Sequence, residues 1–469
     1  MRPILFLLIL ACVSLSASAT DFSSRFEEIK HHAKPTELYA FLYALPKGGD
    51  LHNHLGGAIR SEWWYAAATD SARNGGDVFY TRVKFTAGID TGVPLVLFQT
   101  IRRATYTHLS AAEQADYAKL DELSAEQKQA WLDSLRLDRP GEGRDEFFTW
   151  IWPRTGQLHQ NLHVIAETLV DTMKAYGAEG LRYLETQQGA LNFTDNDGNL
   201  IPAETAVNFL RARLAQPDAV ATGVTVRFQL TVLRFLPNAE QQLEKLYQFV
   251  DGHRDLWVGL NMAGIEENGH GYPARFLDKF RELRRIYPTL SLSIHAGEMD
   301  GPDQHIRDTL LLGATRIGHG VNLLKDPDTL LLMRGSQYLV EINLISNRLL
   351  EYTPNLNTHP FPEYLRTGVP VCLNTDDRGM WDSNMTDEYY TAVTTFNLSW
   401  DELVQLGRNS LSHSFVQADV KAKLLNEYER DVAAFAAKFQ SADSLDRLAQ
   451  VKPVTYGYAK RTWGFNFAP

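Results

Sequence analysis

Short apolar runs of strand length alternate, over most of this chain, with longer segments whose apolar residues recur every three or four positions. The strand-like runs are "GDLHNHL" (49–55), "GLRYLETQ" (180–187), "TVRFQLTVLR" (225–234), "LWVGLNMAG" (256–264), "LSLSIHAGE" (290–298), "TRIGHG" (315–320), "YLVEINLIS" (338–346) and "VPVCLNTDD" (369–377). Amphipathic segments such as "ETAVNFLRARLAQ", "EQQLEKLYQFVDGH", "ARFLDKFRELRRIY", "HIRDTLLLGA" and "PDTLLLMRGS" lie between them and end near a glycine, a proline or a polar turn. Eight strands alternating with helices predict an α/β protein with a (β/α)8 TIM-type barrel. A doubly wound open sheet also alternates, but no glycine-rich fingerprint follows the first strand to favour it.

Two stretches extend this pattern. "RFEEIKHHA" and "TELYAFLYAL" predict an N-terminal helical extension over residues 20–46, ahead of a barrel over 47–440. About 125 residues separate the first two strands, roughly three times what a plain β/α unit needs. A helical insertion is therefore expected at about 65–145, ending in the aromatic run "EFFTWIWPR". The tail at 441–469 contains Tyr, Trp and Phe without a clear period and is left unassigned.

Composition narrows the partners more than the fold. A net charge of −11 and a pI near 5.7, with no dense basic run, argue against a nucleic-acid or anionic-membrane surface. Residues 1–19, "MRPILFLLILACVSLSASA", read as an export signal: Arg2, an apolar run too short to span a bilayer, then small residues before Thr20. "ILAC" weakly matches a lipoprotein box, so lipidation at Cys12 is the alternative and the one route to a membrane. Removal of the signal leaves Cys372 alone, without an intrachain disulfide, which fits an exported protein of the bacterial periplasm or medium.

The chemistry lies where apolar strands stop. His52 and His54, at i and i+2 of a strand, project from one face, and one ion could take both. His295 and Glu298 end the fifth run, His319 the sixth, and Asp376 and Asp377 the eighth. In a barrel these ends share one mouth. Three neutral imidazoles and a carboxylate suit Zn2+ with a position left for water, and the lack of a cysteine cluster excludes a thiolate site. Glu298 and His319 are candidates for the two proton-handling roles that such a reaction needs.

Together "LHNHLGGA", "NMAG", "SIHAGE", "RIGHGVNL", "SNRLL" and "LNTDD", in this order from 47 to about 415, resemble the adenosine deaminase family of the amidohydrolase superfamily. "PKGG" and the long insertion look most like its secreted, growth-factor-related branch. The resemblance implies one Zn2+ per chain, held by His52, His54, His295 and Asp376, and a purine nucleoside substrate, with hydroxide adding at C6 and ammonia leaving. Glu298 would protonate purine N1, and His319 would orient and deprotonate the attacking water. Asp377 would meet N7 and the Gly264 amide N3. Phe148, Trp150 and Trp152 would form a hydrophobic gate over the base. Gly56 departs from the family pattern, which has an acid there that contacts the ribose 5′ end. A 5′-modified adenosine or another aminopurine therefore stays open as substrate beside adenosine and 2′-deoxyadenosine. A non-catalytic nucleoside-binding or signalling protein is the reading from another class.

Overall fold

The computed structural model describes residues 13–86, 96–266, 271–299, 301–441 and 444–467, with backbone alone for 13–21, 444 and 445. Residues 1–12, with Cys12 and most of the expected export signal, lie outside them. All eight expected strands form, and each pairs in parallel with the next: β1 Gly48–Asp50, β2 Leu181–Gln187, β3 Thr225–Leu233, β4 Trp257–Ala263, β5 Ser291–Ala296, β6 Arg316–His319, β7 Leu339–Ile342 and β8 Val371–Leu373. Contact between β8 and β1 is short. The Asp376 N–H donates to the His52 carbonyl at 3.0 Å, and Asn53 bridges Asp376, so the eight strands nearly close into the (β/α)8 barrel that their order predicts.

Inside the barrel the strands carry more than apolar side chains. Arg316 on β6 pairs with Glu185 on β2 at 2.8 Å and Glu341 on β7 at 2.6 Å, all three fully enclosed. Gln229 on β3 donates to Glu185 at 2.8 Å. Charges this deep persist because each is paired and hydrogen-bonded. They form a rigid polar floor beneath the mouth where the strands end.

The N-terminal extension is helical as expected, over Val13–His32 and Pro35–Ala44. Phe22 and Phe26 pack on Trp400, with ring centroids 4.5 and 5.9 Å apart. At its junction with β1 the buried Lys47 ammonium shares its three N–H groups among four carbonyls within reach, those of Leu42, Tyr43, Leu45 and Glu179.

A helix at Ser61–Thr69 leads into the insertion, which holds the expected helical character at Ala125–Ser134 and also a three-stranded antiparallel sheet. Phe79–Arg82 lies between Thr100–Arg102 and Tyr117–Lys119. Strands of three or four residues give too few alternations for a period of two to emerge. The unassigned tail also has a place. Phe465 and Phe467 pack on Tyr39 of the extension, and after Gly457 the chain turns as a helix to Trp463. The Tyr458 N–H donates to the Asp382 carbonyl at 2.8 Å, and Tyr456 lies under the Arg60 guanidinium. Among the described residues no helix is long and apolar enough to cross a membrane.

Candidate active site

Regular pairing on β1 stops at Asp50, but the chain stays extended, with His54 bridging Gln187 on the far side from Asp376. His52 and His54 therefore reach the mouth together. Their rings lie 6.0 Å apart, and His295 from the end of β5 fits beside both, at 4.3 Å from His52 and 5.3 Å from His54. The His54 Nε2 lies 3.5 Å from Asp376 Oδ1 and 3.3 Å from His295 Nε2, and the His52 Nε2 lies 3.9 Å from the same carboxylate oxygen. Three segments, more than 300 residues apart at the extremes, thus bring four donor atoms together.

Two neighbours set the ring orientation. The His52 Nδ1 donates to Glu341 Oε2 at 2.8 Å, and the His295 Nδ1 donates to Asn261 Oδ1 at 2.8 Å. With the proton on Nδ1, each Nε2 presents its lone pair inward, and the buried His52 Nε2 has no hydrogen-bond partner among the described residues. An orphaned lone pair facing two other imidazoles and a carboxylate is what a nitrogen and oxygen metal site requires, so the residues present fit zinc. Burial holds the His54 imidazole down to about 4 and that of His295 well below its usual range, the surrounding histidines adding to the second effect. Both are neutral and ready to ligate.

The proton-handling groups stand alongside. Glu298, His319 and Asp376 group within 4.8 Å, and the His319 Nε2 is 3.6 Å from Glu298 Oε1. Burial, with His52 beside it, pushes the His319 imidazole down to about 3. His319 and Asp376 both sit in the left-handed region, at φ 65° and 51°. Such strain costs about 1–3 kcal/mol per residue and persists where its surroundings overdetermine it, commonly at functional sites. Glu298 is held through its backbone. Buried Glu266 accepts the N–H groups of Gly297 and Glu298, each at 3.1 Å, and also takes His305 Nδ1 at 2.8 Å.

Asp377 lies beside Asp376. Burial and the adjacent carboxylate push it well above the usual carboxylate range, so it keeps a proton to donate. Its buried Oδ1 has no partner among the described residues. Gly57 makes room for it, since a Cβ there would lie 1.6 Å from that oxygen. Gly57→Ala is expected to displace Asp377 and lower kcat/KM about a hundredfold, as ångström misplacements do, with metal content unchanged; steady-state kinetics beside metal analysis checks both.

These groups line one cavity of about 300 Å3, whose described walls are His54, His295, Glu298, His319, Asp376, Asp377 and Gly264 together with apolar Leu233, Phe235, Ala263, Phe147, Phe148, Trp152 and Leu350. Of the expected gate residues, Phe148 and Trp152 face it, with Trp152 6.0 Å from the His54 ring. Trp150 does not line it, and Phe147 takes its place. The run Phe147–Ile151 is wound as a π-helical turn, and 148 and 152 fall on one side of such a helix while 150 falls on the other. Gly264 adopts φ 106° at the wall. Gly56 is also explained. A Cβ there would lie 2.1 Å from His159 Cε1, so the space beyond position 56 is filled by an imidazole from the stretch between the insertion and β2, wedged between Trp64 and Trp152.

Sequence reasoning left Glu341, Asn261, Glu266 and His159 without roles. An acid in the middle of "YLVEINL" and an amide in "GLNMAG" are polar breaks in otherwise apolar strands, which was the available signal for the first two. Glu266 lies in an irregular segment and His159 in the short 3-10 helix Gly156–Gln160, and neither carries one.

A model of the adenosine deaminase family matches residues 144–431, more than half of the chain and all of the site except the first histidine pair. The adenosine deaminase of Enterococcus faecalis is 30% identical over 271 residues, covering 57% of this chain and 76% of the relative. The apo N6-methyl-AMP deaminase of Arabidopsis thaliana superposes with a TM-score of 0.60 at 18% identity, covering 84% of this chain and 98% of that one. An amidohydrolase from Burkholderia ambifaria with bound Zn gives 0.55 at 19%, covering 86% and 95%. Spatial convergence of the motifs and the extent of these matches lead to one conclusion: this chain belongs to the adenosine deaminase family.

Proposed function

We propose that the chain is a zinc-dependent hydrolase that deaminates adenosine and 2′-deoxyadenosine to inosine and deoxyinosine, one Zn2+ being held by His52, His54, His295 and Asp376. One observation carries the reading. Three of the four ligands (His54, His295 and Asp376), a carboxyl and an imidazole 3.6 Å from each other, and an Asp377 oxygen without a partner among the described residues all open onto a single largely apolar cavity, with His52 directly behind His295. A non-catalytic binding protein has no need to keep them together. When bound, zinc acidifies a coordinated water towards a pKa of about 7. This chain's own groups supply the rest. Glu298 protonates N1, which makes C6 electrophilic; Asp377 donates to N7, and Gly264 offers its backbone to N3. Phe147, Phe148 and Trp152 cover the base and exclude water. Addition at C6 followed by loss of ammonia leaves a carbonyl there.

A second reading, a 5′-modified adenosine such as the nucleotide its Arabidopsis relative deaminates, is favoured by Gly56, which provides no carboxylate to repel a phosphate. Against it, the described cavity walls hold no Lys or Arg, while Glu298 and Asp377 stand inside. A phosphate dianion placed there would be desolvated without a partner, a penalty of several kcal/mol. Ammonia release across adenosine, 2′-deoxyadenosine, 5′-methylthioadenosine, adenine, guanosine, AMP and N6-methyl-AMP is the test. Adenosine is expected to exceed AMP about a hundredfold or more in kcat/KM, equivalent to about 2.7 kcal/mol. Preference for a 5′-phosphate would reject the nucleoside assignment, and inertness towards every aminopurine would reject the whole reading. We keep the expectation of export on the pattern of residues 1–19, to be checked by fractionating the expressing cell.

A further inference from the structure

Behind His319, away from the cavity, a line of buried hydrogen bonds runs to a backbone amide. The Phe361 N–H donates to His359 Nδ1 at 3.1 Å. His359 Nε2 meets Asn347 Oδ1 at 3.1 Å, and Asn347 Nδ2 meets His319 Nδ1 at 3.0 Å. His359, Asn347 and His319 are all buried.

The direction of every bond in this line follows from its first member. A backbone N–H can only donate, so His359 Nδ1 accepts and has no proton. Burial pushes the His359 imidazole down to about 3, so the ring is neutral and its single proton is on Nε2. That proton must go to an acceptor, which fixes the Asn347 amide with its oxygen towards His359 and its NH2 towards His319. Turned the other way, Asn347 would set two donors against each other. The NH2 needs a lone pair, so His319 Nδ1 accepts and His319 Nε2 carries the hydrogen. Asn343 Nδ2 lies 3.3 Å from Nδ1 and 3.5 Å from Nε2, too even to reverse this.

We infer that His359 and Asn347 are positioning residues that lock His319 as the Nε2–H tautomer, so that it donates a hydrogen bond towards the attacking water and does not take that water's proton. This rests on the deaminase reading above and departs from the expectation that His319 deprotonates the water. Nε2 is the ring nitrogen that faces Glu298, at 3.6 Å, and it is already protonated. The proton balance then runs through Glu298. As the C6–O bond forms, one O–H bond of the water breaks and its proton passes to the Glu298 carboxylate, which delivers it to N1. The remaining hydroxyl proton goes to the amine as the C6–N bond breaks, and ammonia leaves.

The direct test is spectroscopic and uses the zinc-loaded protein labelled with 15N-histidine, the His319 signals being identified by their loss in His319→Ala. A pyridine-type Nδ1 and a pyrrole-type Nε2 are expected; the reverse pattern overturns the inference. The kinetic test is Asn347→Asp, which replaces a donor facing Nδ1 by an acceptor and so demands the Nδ1–H tautomer. A histidine held in the wrong tautomer can cost up to about 10⁴ in kcat. A fall in kcat of about a hundredfold or more is expected here, with KM within a few-fold; wild-type kcat overturns the inference. His359→Gln, whose amide can place an N–H where Nε2 was, is expected to keep most of the kcat lost in His359→Leu, and equal losses in the two would favour packing alone. An Nε2–H signature in a protein that deaminates no aminopurine supports the relay and rejects the functional reading instead.

Discussion

Glu298→Gln is expected to lower kcat by about a thousandfold or more while the protein keeps its fold and its zinc, because a positioned proton donor contributes roughly 10² to 10⁴ and the amide cannot replace it. The geometry makes this substitution unusually clean. Glu298 is held through its backbone N–H by Glu266, and that contact survives the substitution. Gln matches Glu in shape and can keep a hydrogen bond towards His319, so KM should move only a few-fold. Steady-state kinetics on adenosine with zinc measured in the same sample checks the expectation. Turnover near that of the wild type would show that another group protonates the purine, and no other carboxyl is a ready substitute. Asp377 has the N7 position, and Asp376 is held below the usual carboxylate range, against the effect of its burial, by His319, His52 and His54 around it.

Much of this site was legible because a barrel converts a sequence position into a spatial one. A polar residue where an apolar strand stops must lie at the mouth, so His295, His319, Asp376 and Asp377 could be placed together without knowing any angle. The eight strands were legible for a related reason: each is enclosed on both faces, and short continuous apolar runs of that kind stand out between amphipathic helices. What escaped was whatever depends on pairing between distant segments. Nothing in "YLVEINLIS" tells that Glu341 meets a histidine 289 positions earlier. Nothing in the stretch before β2 tells that His159 fills the space beyond Gly56, which the sequence alone shows only as a missing acid. Trp150 was misplaced for a local reason, because an aromatic run names the helix but not its phase, and a π-helical turn changes that phase within five residues.

Glu341 separates two kinds of loss at the metal. Substituting a ligand, as in Asp376→Ala or His52→Ala, or stripping zinc with a chelator, is expected to abolish measurable turnover, since a missing carboxylate or imidazole leaves too few donors to hold the ion. Re-addition of zinc should restore the chelated wild type and not the ligand variants. Glu341→Gln is expected to behave differently. It keeps an acceptor for the His52 Nδ1–H but removes the charge that now pairs with both His52 and Arg316, and losing such a partner weakens metal affinity roughly 10- to 100-fold. At saturating zinc this variant should therefore turn over with a kcat within about tenfold of the wild type, because the ion, once bound, meets the same ligands. Competition with a chelator of known affinity measures the loss directly. A Glu341→Gln protein as inactive at saturating zinc as Asp376→Ala would mean that the buried Arg316 pair carries the shape of the mouth itself, and that the ligands converge only because the charged floor beneath them is intact.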